Sequence, residues 1–272
     1  MPTKRLVVAG GSGFLGSRIC KAATARGWTV ISLSRSGEPR WETVTDSRER
    51  PSWAGSVEWA KADILKPESY KPHLHGASAV VHSMGILLEA DYKGVVQGRE
   101  PILSGLQRAF RRGFGAKGED GQLTYELMNR DSAIALAQES TNEHVPTFVY
   151  ISAAAGAPIL PARYISTKRE AEATITSTLP DLRSVFIRPG FIYDSSRKFT
   201  LPIAMGGFVA SEFNTFLGNK LGFLGSMAEK PLKADVVSEA VVEALEDEST
   251  KGAVGTKQIE ALATKAWRKT ML

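Results

Sequence analysis

The chain has 272 residues, 43% of them hydrophobic, and a formal net charge of +5, enough to bury one large core and with no linker-like run to divide it. Basic residues are scattered rather than interleaved with aromatics, which argues against nucleic-acid binding, and no run approaches the ~20 apolar residues of a spanning helix. One cysteine excludes an internal disulfide, and the four histidines lack metal-ligand spacing, so no metal is expected.

From Arg5 the sequence reads as a short β-branched strand that runs into glycines at 10, 13 and 16 and then into an amphipathic helix. This order predicts a pyrophosphate cradle. Gly10 permits a sharp turn, Gly13 lets backbone approach a phosphate, and Gly16 lets the helix pack closely on the strand. The helix N-terminus adds free N–H groups and a positive dipole end. Gly10, Gly11, Ser12, Gly13, Phe14, Leu15 and Gly16 are therefore candidate cofactor contacts, while Cys20 on the same helix reads as a small buried hydrophobe. A second strand spans 29 to 34. No acid follows it to accept from a ribose 2′-hydroxyl; Ser34, Arg35 and Ser36 instead suit a 2′-phosphate, which favours NADP(H) over NAD(H). The alternative for Arg35 is an ordinary solvated loop charge.

A polar loop, 36 to 56, carries Trp41 and Trp53 and precedes a third strand at 57 to 60 and then Asp63 and Ile64. His73 and His75, beside Pro72 and Gly76, read as a loop. A fourth strand, 79 to 82, ends at His82, Ser83, Met84 and Gly85, beside the expected cofactor crevice. A helix is predicted over 123 to 139, a fifth strand over 146 to 152, a helix over 163 to 177, and a sixth strand over 183 to 188 that ends in Arg188, Pro189 and Gly190. Strands alternating with helices predict an α/β fold, a doubly wound parallel sheet of Rossmann type. Tyr164 and Lys168, at i and i+4, share one face of the helix over 163 to 177.

These features resemble the extended and atypical short-chain dehydrogenase/reductases (SDRs). The resemblance covers nearly the whole chain: the Gly10, Gly13, Gly16 spacing, Leu33 to Gly37, Val80 to Leu87, Tyr150 to Ala153, Tyr164 to Glu172, and Arg188 to Gly190. Its nearest form is the atypical group that contains the fungal mitochondrial coenzyme Q biosynthesis protein and the nucleotide-binding accessory subunit of respiratory complex I. The resemblance implies NADP(H) binding, mitochondrial location on the matrix side of the inner membrane, and a quinone-biosynthesis complex, although no clear presequence opens the chain. It also implies that Lys168 bonds the nicotinamide ribose and lowers the Tyr164 phenol so that it exchanges a proton with substrate. Asn129 matches the asparagine that shapes many SDR sites. One departure matters: where active SDRs place a serine or threonine at the end of the fifth strand, this chain has Ala153. Ser152, one residue earlier, is a catalytic candidate only if the backbone bends.

Two segments fall outside that frame. Within the insertion 89 to 121, a basic amphipathic helix over 101 to 113 would meet anionic lipid or an acidic partner, or else pack its apolar side on the core. The apolar, glycine-broken stretch from 199 to 224 suits a polyprenylated quinone-like substrate, or core, or a partner interface. The expected organisation is thus one SDR domain over 1 to 272, with a nucleotide-binding core to 190 and a substrate- or partner-facing region from 191. An NADP(H)-dependent oxidoreductase and a redox-silent structural subunit both fit, with Tyr164, Lys168 and Asn129 favouring the first and Ala153 the second. A sugar-nucleotide epimerase fits less well, because the lid offers no polar diphosphate clamp.

Overall fold

The computed structural model describes residues 4–45, 47–85, 124–154, 162–194 and 230–271. Strands β1 (Arg5–Ala9), β2 (Thr29–Ser34), β3 (Val57–Lys61), β4 (Ala79–His82), β5 (Thr147–Ile151) and β6 (Arg183–Ile187) form one sheet with β9 (Gly252–Val254). All neighbours pair parallel, in the order β3-β2-β1-β4-β5-β6-β9. The chain reverses its direction of travel across the sheet between β1 and β4, so their carboxyl ends flank a crevice. A separate parallel pair joins β7 (Ile192–Tyr193) to β8 (Leu232–Lys233).

Both faces of the sheet are covered, which is why β1, β4 and β5 are apolar runs rather than alternating ones. On one face Leu6, Val8, Val149, Ile151, Val185 and Ile187 meet α1 (Phe14–Ala25), α5 (Ala234–Glu246) and α6 (Thr256–Thr270). On the other, Val7, Ala9, Val80, Phe148, Tyr150 and Phe186 meet α2 (Pro67–Leu74), α3 (Ser132–Asn142) and α4 (Ala162–Thr178).

The elements expected from the sequence are present with shifted ends. The fifth and sixth strands stop at Ile151 and Ile187, one residue early, and α3 runs to Asn142 after a π-helical turn at Glu126–Asp131. His73 lies in a helix and not in a loop, because Pro67 sits in the first turn of α2, where its missing N–H is harmless. The loop 36 to 56 holds two 3₁₀ turns, and Trp41 packs edge-on against Trp53 and Trp59, with ring centroids 5.5 and 5.7 Å away. The described part of the C-terminal region adds a seventh strand to the sheet and packs α5 on α1 and α6. The insertion 89 to 121, its helix over 101 to 113, and the apolar stretch 199 to 224 lie outside the described residues. No described helix is long and apolar enough to cross a membrane.

Candidate nucleotide-binding and active site

Glycines shape the mouth of the crevice. Gly10 turns the chain at φ +82°, and a Cβ there would lie 2.7 Å from Met84 Cγ. At Gly16 a Cβ would fall 2.1 Å from the Gly10 carbonyl oxygen and 2.7 Å from Ser83 Oγ, so only glycine lets α1 start this close to β1. Gly13 is exposed, and among the described residues its Cβ would meet only the Gly10 oxygen, at 3.0 Å. The first turn of α1 holds no acid and no side chain caps it, a donor set that fits a diphosphate. Ser12 is half-buried beside it, and Leu15 is buried. Gly11 has a packing reason to be glycine, since a Cβ would lie 2.3 Å from Ser32 Oγ on β2. Phe14 carries the Arg18 guanidinium 4.6 Å from its ring centre, and Arg18 reaches on to Asp194 at 2.5 Å.

Arg35 and Ser36 are exposed just past β2, and Arg35 makes no ion pair among the described residues. Ser34 closes the turn, donating to the Gly37 carbonyl at 2.8 Å. An apolar slot lined by Ala9, Leu33, Ala62, Ile64, Tyr70 and Met84 opens at the carboxyl end of the sheet. Asp63 shapes its rim, accepting from the Leu65 amide at 3.1 Å while its own amide donates to Ser69 Oγ at 2.9 Å.

Deeper in, three predicted site residues converge. A Cβ on Gly85 would lie 3.0 Å from Asn129 Oδ1 and 3.6 Å from Lys168 Nζ, so the end of β4, the π-helical turn and α4 meet at one point. Lys168 is buried, donating to the Ile151 carbonyl at 3.0 Å and to Tyr150 Oη at 3.5 Å. Burial pulls its pKa down to about 7, against the support of Glu172. The Tyr164 ring centre lies 5.7 Å from Lys168 Nζ and 5.9 Å from the Tyr125 ring. Its phenol is pushed up to about 12 by burial, opposite to the expected lowering, because desolvation of a phenolate outweighs the Arg169 charge.

Four other candidates have structural partners. His82 is fully buried and bonds Ser132 Oγ through Nε2 at 2.9 Å; burial, aided by Lys168, pulls its pKa to about 3, so it is neutral. Ser83 donates to the Ala9 carbonyl at 2.8 Å and so braces the glycine loop. Arg188 donates through Nε to Glu172 Oε1 at 3.1 Å and through Nη2 to Oε2. Ser152 does not turn freely toward the crevice: its Oγ is buried and accepts from Arg169 Nη1 at 3.0 Å. Arg169 also donates to the Ala153 and Ala154 carbonyls, at 2.7 and 2.8 Å, and to Glu172 at 2.9 Å. Pro189 is buried and its carbonyl accepts from the Ala154 amide at 2.8 Å, with Gly190 half-buried beyond it.

No motif in the sequence marks Tyr150, Arg169 or Glu172 as site residues. Glu172 stands four residues after Lys168 on one helix, a spacing that places it on the same face. Nothing in the local pattern distinguished Tyr150 from an ordinary core aromatic.

A crevice at the strand reversal, a glycine cradle under a helix N-terminus and a Tyr-x-x-x-Lys helix together define a dinucleotide-binding protein of SDR type. A family model described as NAD(P)H-binding matches residues 10–207, and the chain belongs to this SDR-like family. It is similar to MIOREX complex component 2 of Saccharomyces cerevisiae, 35% identical over 280 positions that span 94% of this chain and 98% of that protein. Among solved structures, a short-chain dehydrogenase/reductase from Serratia marcescens superposes with a TM-score of 0.60 at 16% identity, covering 94% of this chain and 98% of the other. A putative short-chain dehydrogenase/reductase from Burkholderia multivorans with bound NADP gives 0.56 at 14%, covering 93% and 96%.

Proposed function

We propose that the protein is an NADP(H)-dependent oxidoreductase that acts on a polyprenylated quinone-like ring, as a peripheral member of a coenzyme Q biosynthesis complex on the matrix side of the mitochondrial inner membrane. The observation that carries the enzyme reading is the convergence of Asn129, Lys168 and Gly85 beside Tyr164. The likeness to a protein named as a complex component supports the assembly. The partner and location otherwise rest on the resemblance to the atypical SDR group.

In this reading the loop from Gly10 to Gly16 and the α1 N-terminus hold the diphosphate, and Arg35 with Ser36 holds a 2′-phosphate. Asp63 and Ile64, beside the slot that Ala9, Leu33 and Met84 line, border the nucleotide crevice. Lys168 bonds the ribose, Asn129 fixes the floor, and the strand ends at 83 to 85 and 188 to 190 border the nicotinamide. The bound nucleotide supplies or accepts the hydride. Tyr164 holds the proton that its phenol exchanges with the substrate oxygen, and a pKa near 12 keeps it a donor at neutral pH.

A redox-silent subunit is the second reading, favoured by Ala153 and by the commitment of Ser152 to Arg169. Tyr164→Phe separates the two. It should keep NADPH binding yet abolish quinone synthesis in cells lacking the native protein; full complementation at native expression level would establish the silent subunit instead.

A further inference from the structure

Among the described residues Lys168 makes no ion pair with a carboxylate. The groups around it come from every element packed there: Tyr150 and the Ile151 carbonyl on β5, neutral His82 at the end of β4, Asn129 in the π-helical turn, and Tyr164, Arg169 and Glu172 on α4. Glu172 is already bonded to Arg169 and Arg188. Among the described residues the ammonium donates to two neutral oxygens, the Ile151 carbonyl and the Tyr150 phenol.

Tyr150 is fully buried, and both capacities of its hydroxyl are used: it accepts from Lys168 Nζ and donates to the Asn129 carbonyl. Its ring lies 5.0 Å below Nζ and 5.4 Å from the His82 ring. A phenylalanine would fill the same space with no polar atom to satisfy, so the hydroxyl here does something packing does not require. Burial holds the phenol well above its usual range, which keeps it an un-ionised donor to Asn129 and leaves its lone pairs for the lysine. The acceptor is fixed at its far side by a carbonyl of the π-helical turn, a deviation that recurs at functional sites.

We infer that Tyr150 is a positioning residue that links Lys168 to the π-helical turn and presents its amine, as an ammonium, to the bound nucleotide. This rests on the reading of Lys168 as a nucleotide ligand. Because the phenol accepts from the charged form, its removal favours the neutral amine.

The test is NADPH affinity by calorimetry across the neutral pH range. In the native protein affinity should fall as pH rises through the Lys168 titration. In Tyr150→Phe the fall should move to lower pH by about one unit, the tenfold change in protonation that one charge-assisted hydrogen bond is worth, with affinity on the acid side retained. A profile that coincides with the native one, or that is weakened equally at every pH, overturns the inference. If Tyr150→Phe fails to fold, Tyr150→Met removes the same hydroxyl with a flexible apolar side chain; it should move the fall in the same direction, and an unmoved fall overturns the inference equally. Lys168→Met tests the underlying reading separately: native affinity at every pH in that variant would remove Lys168 from the nucleotide site altogether.

Discussion

Gly13 and Gly16, three residues apart in the cradle, should fail in different ways when each is given one methyl group. In Gly16→Ala the new Cβ lands 2.1 Å from the Gly10 oxygen and 2.8 Å from the Gly10 carbonyl carbon. Both atoms are backbone, so no side chain can swing away, and α1 must lift from β1. Such overpacking costs about 3 kcal/mol, which at roughly 2–4 °C per kcal/mol for a chain of this size lowers Tm by about 6–12 °C. In Gly13→Ala the only close contact among the described residues is 3.0 Å, and the residue keeps an ordinary extended N-cap conformation at φ −84° and ψ 176°. Its cost is about 1 kcal/mol, the loss of a favourable N-cap. Its exposed position nonetheless puts the methyl where the diphosphate must approach. Thermal melting with and without NADPH reads both effects, because ligand at about 100 times its Kd stabilises the native protein by ~2.7 kcal/mol. Gly13→Ala should melt near the native temperature but lose the NADPH-induced rise. An undiminished rise in Gly13→Ala, or a native melting temperature in Gly16→Ala, would refute the assignment of these two roles.

Arg35→Ala should erase the preference for NADPH over NADH, which in the native protein should be at least about tenfold, or ~1.4 kcal/mol, by calorimetric titration; an unchanged preference would return Arg35 to a loop charge. His82 has a folded-state pKa of about 3 against an ordinary 6.5, so the unfolded chain binds more protons between those values and stability should fall as pH drops below 6.5. The slope from this one group is at most about 1.4 kcal/mol per pH unit, and His82→Gln should reduce the slope of urea-unfolding free energy between pH 6 and 5 by that amount. Lys265 and Lys269 pair with Asp247 and Glu243, each at 2.7 Å, so replacing both with alanine should leave flotation with cardiolipin vesicles within about twofold of native at every salt concentration. A sharp loss would show that these lysines engage lipid in spite of their partners.

The sequence by itself determined the glycine turn, the strands of a parallel sheet and the Tyr164–Lys168 helix, because each depends on short-range rules: a glycine where a Cβ cannot fit, apolar runs for strands covered on both faces, and a spacing of four for one helical face. Pro67 carried a comparable local signal for α2, overshadowed by Pro72 and Gly76 in the reading of His73. What tertiary structure decided was where polar side chains spend their hydrogen bonds. Ser152, His82 and Arg188 had the residue types of a site, yet Arg169, Ser132 and Glu172 engage them, through contacts between elements 16 to 50 residues apart in sequence. Tyr150 reversed that pattern, since a tyrosine in a buried strand reads as core until its hydroxyl is seen between Lys168 and the Asn129 carbonyl. Even the direction of the Tyr164 pKa was undetermined by the motif. A phenol four residues from a lysine is lowered only if the charge outweighs the loss of water around both groups, and that balance is set by burial, which the fold supplies and the spacing does not.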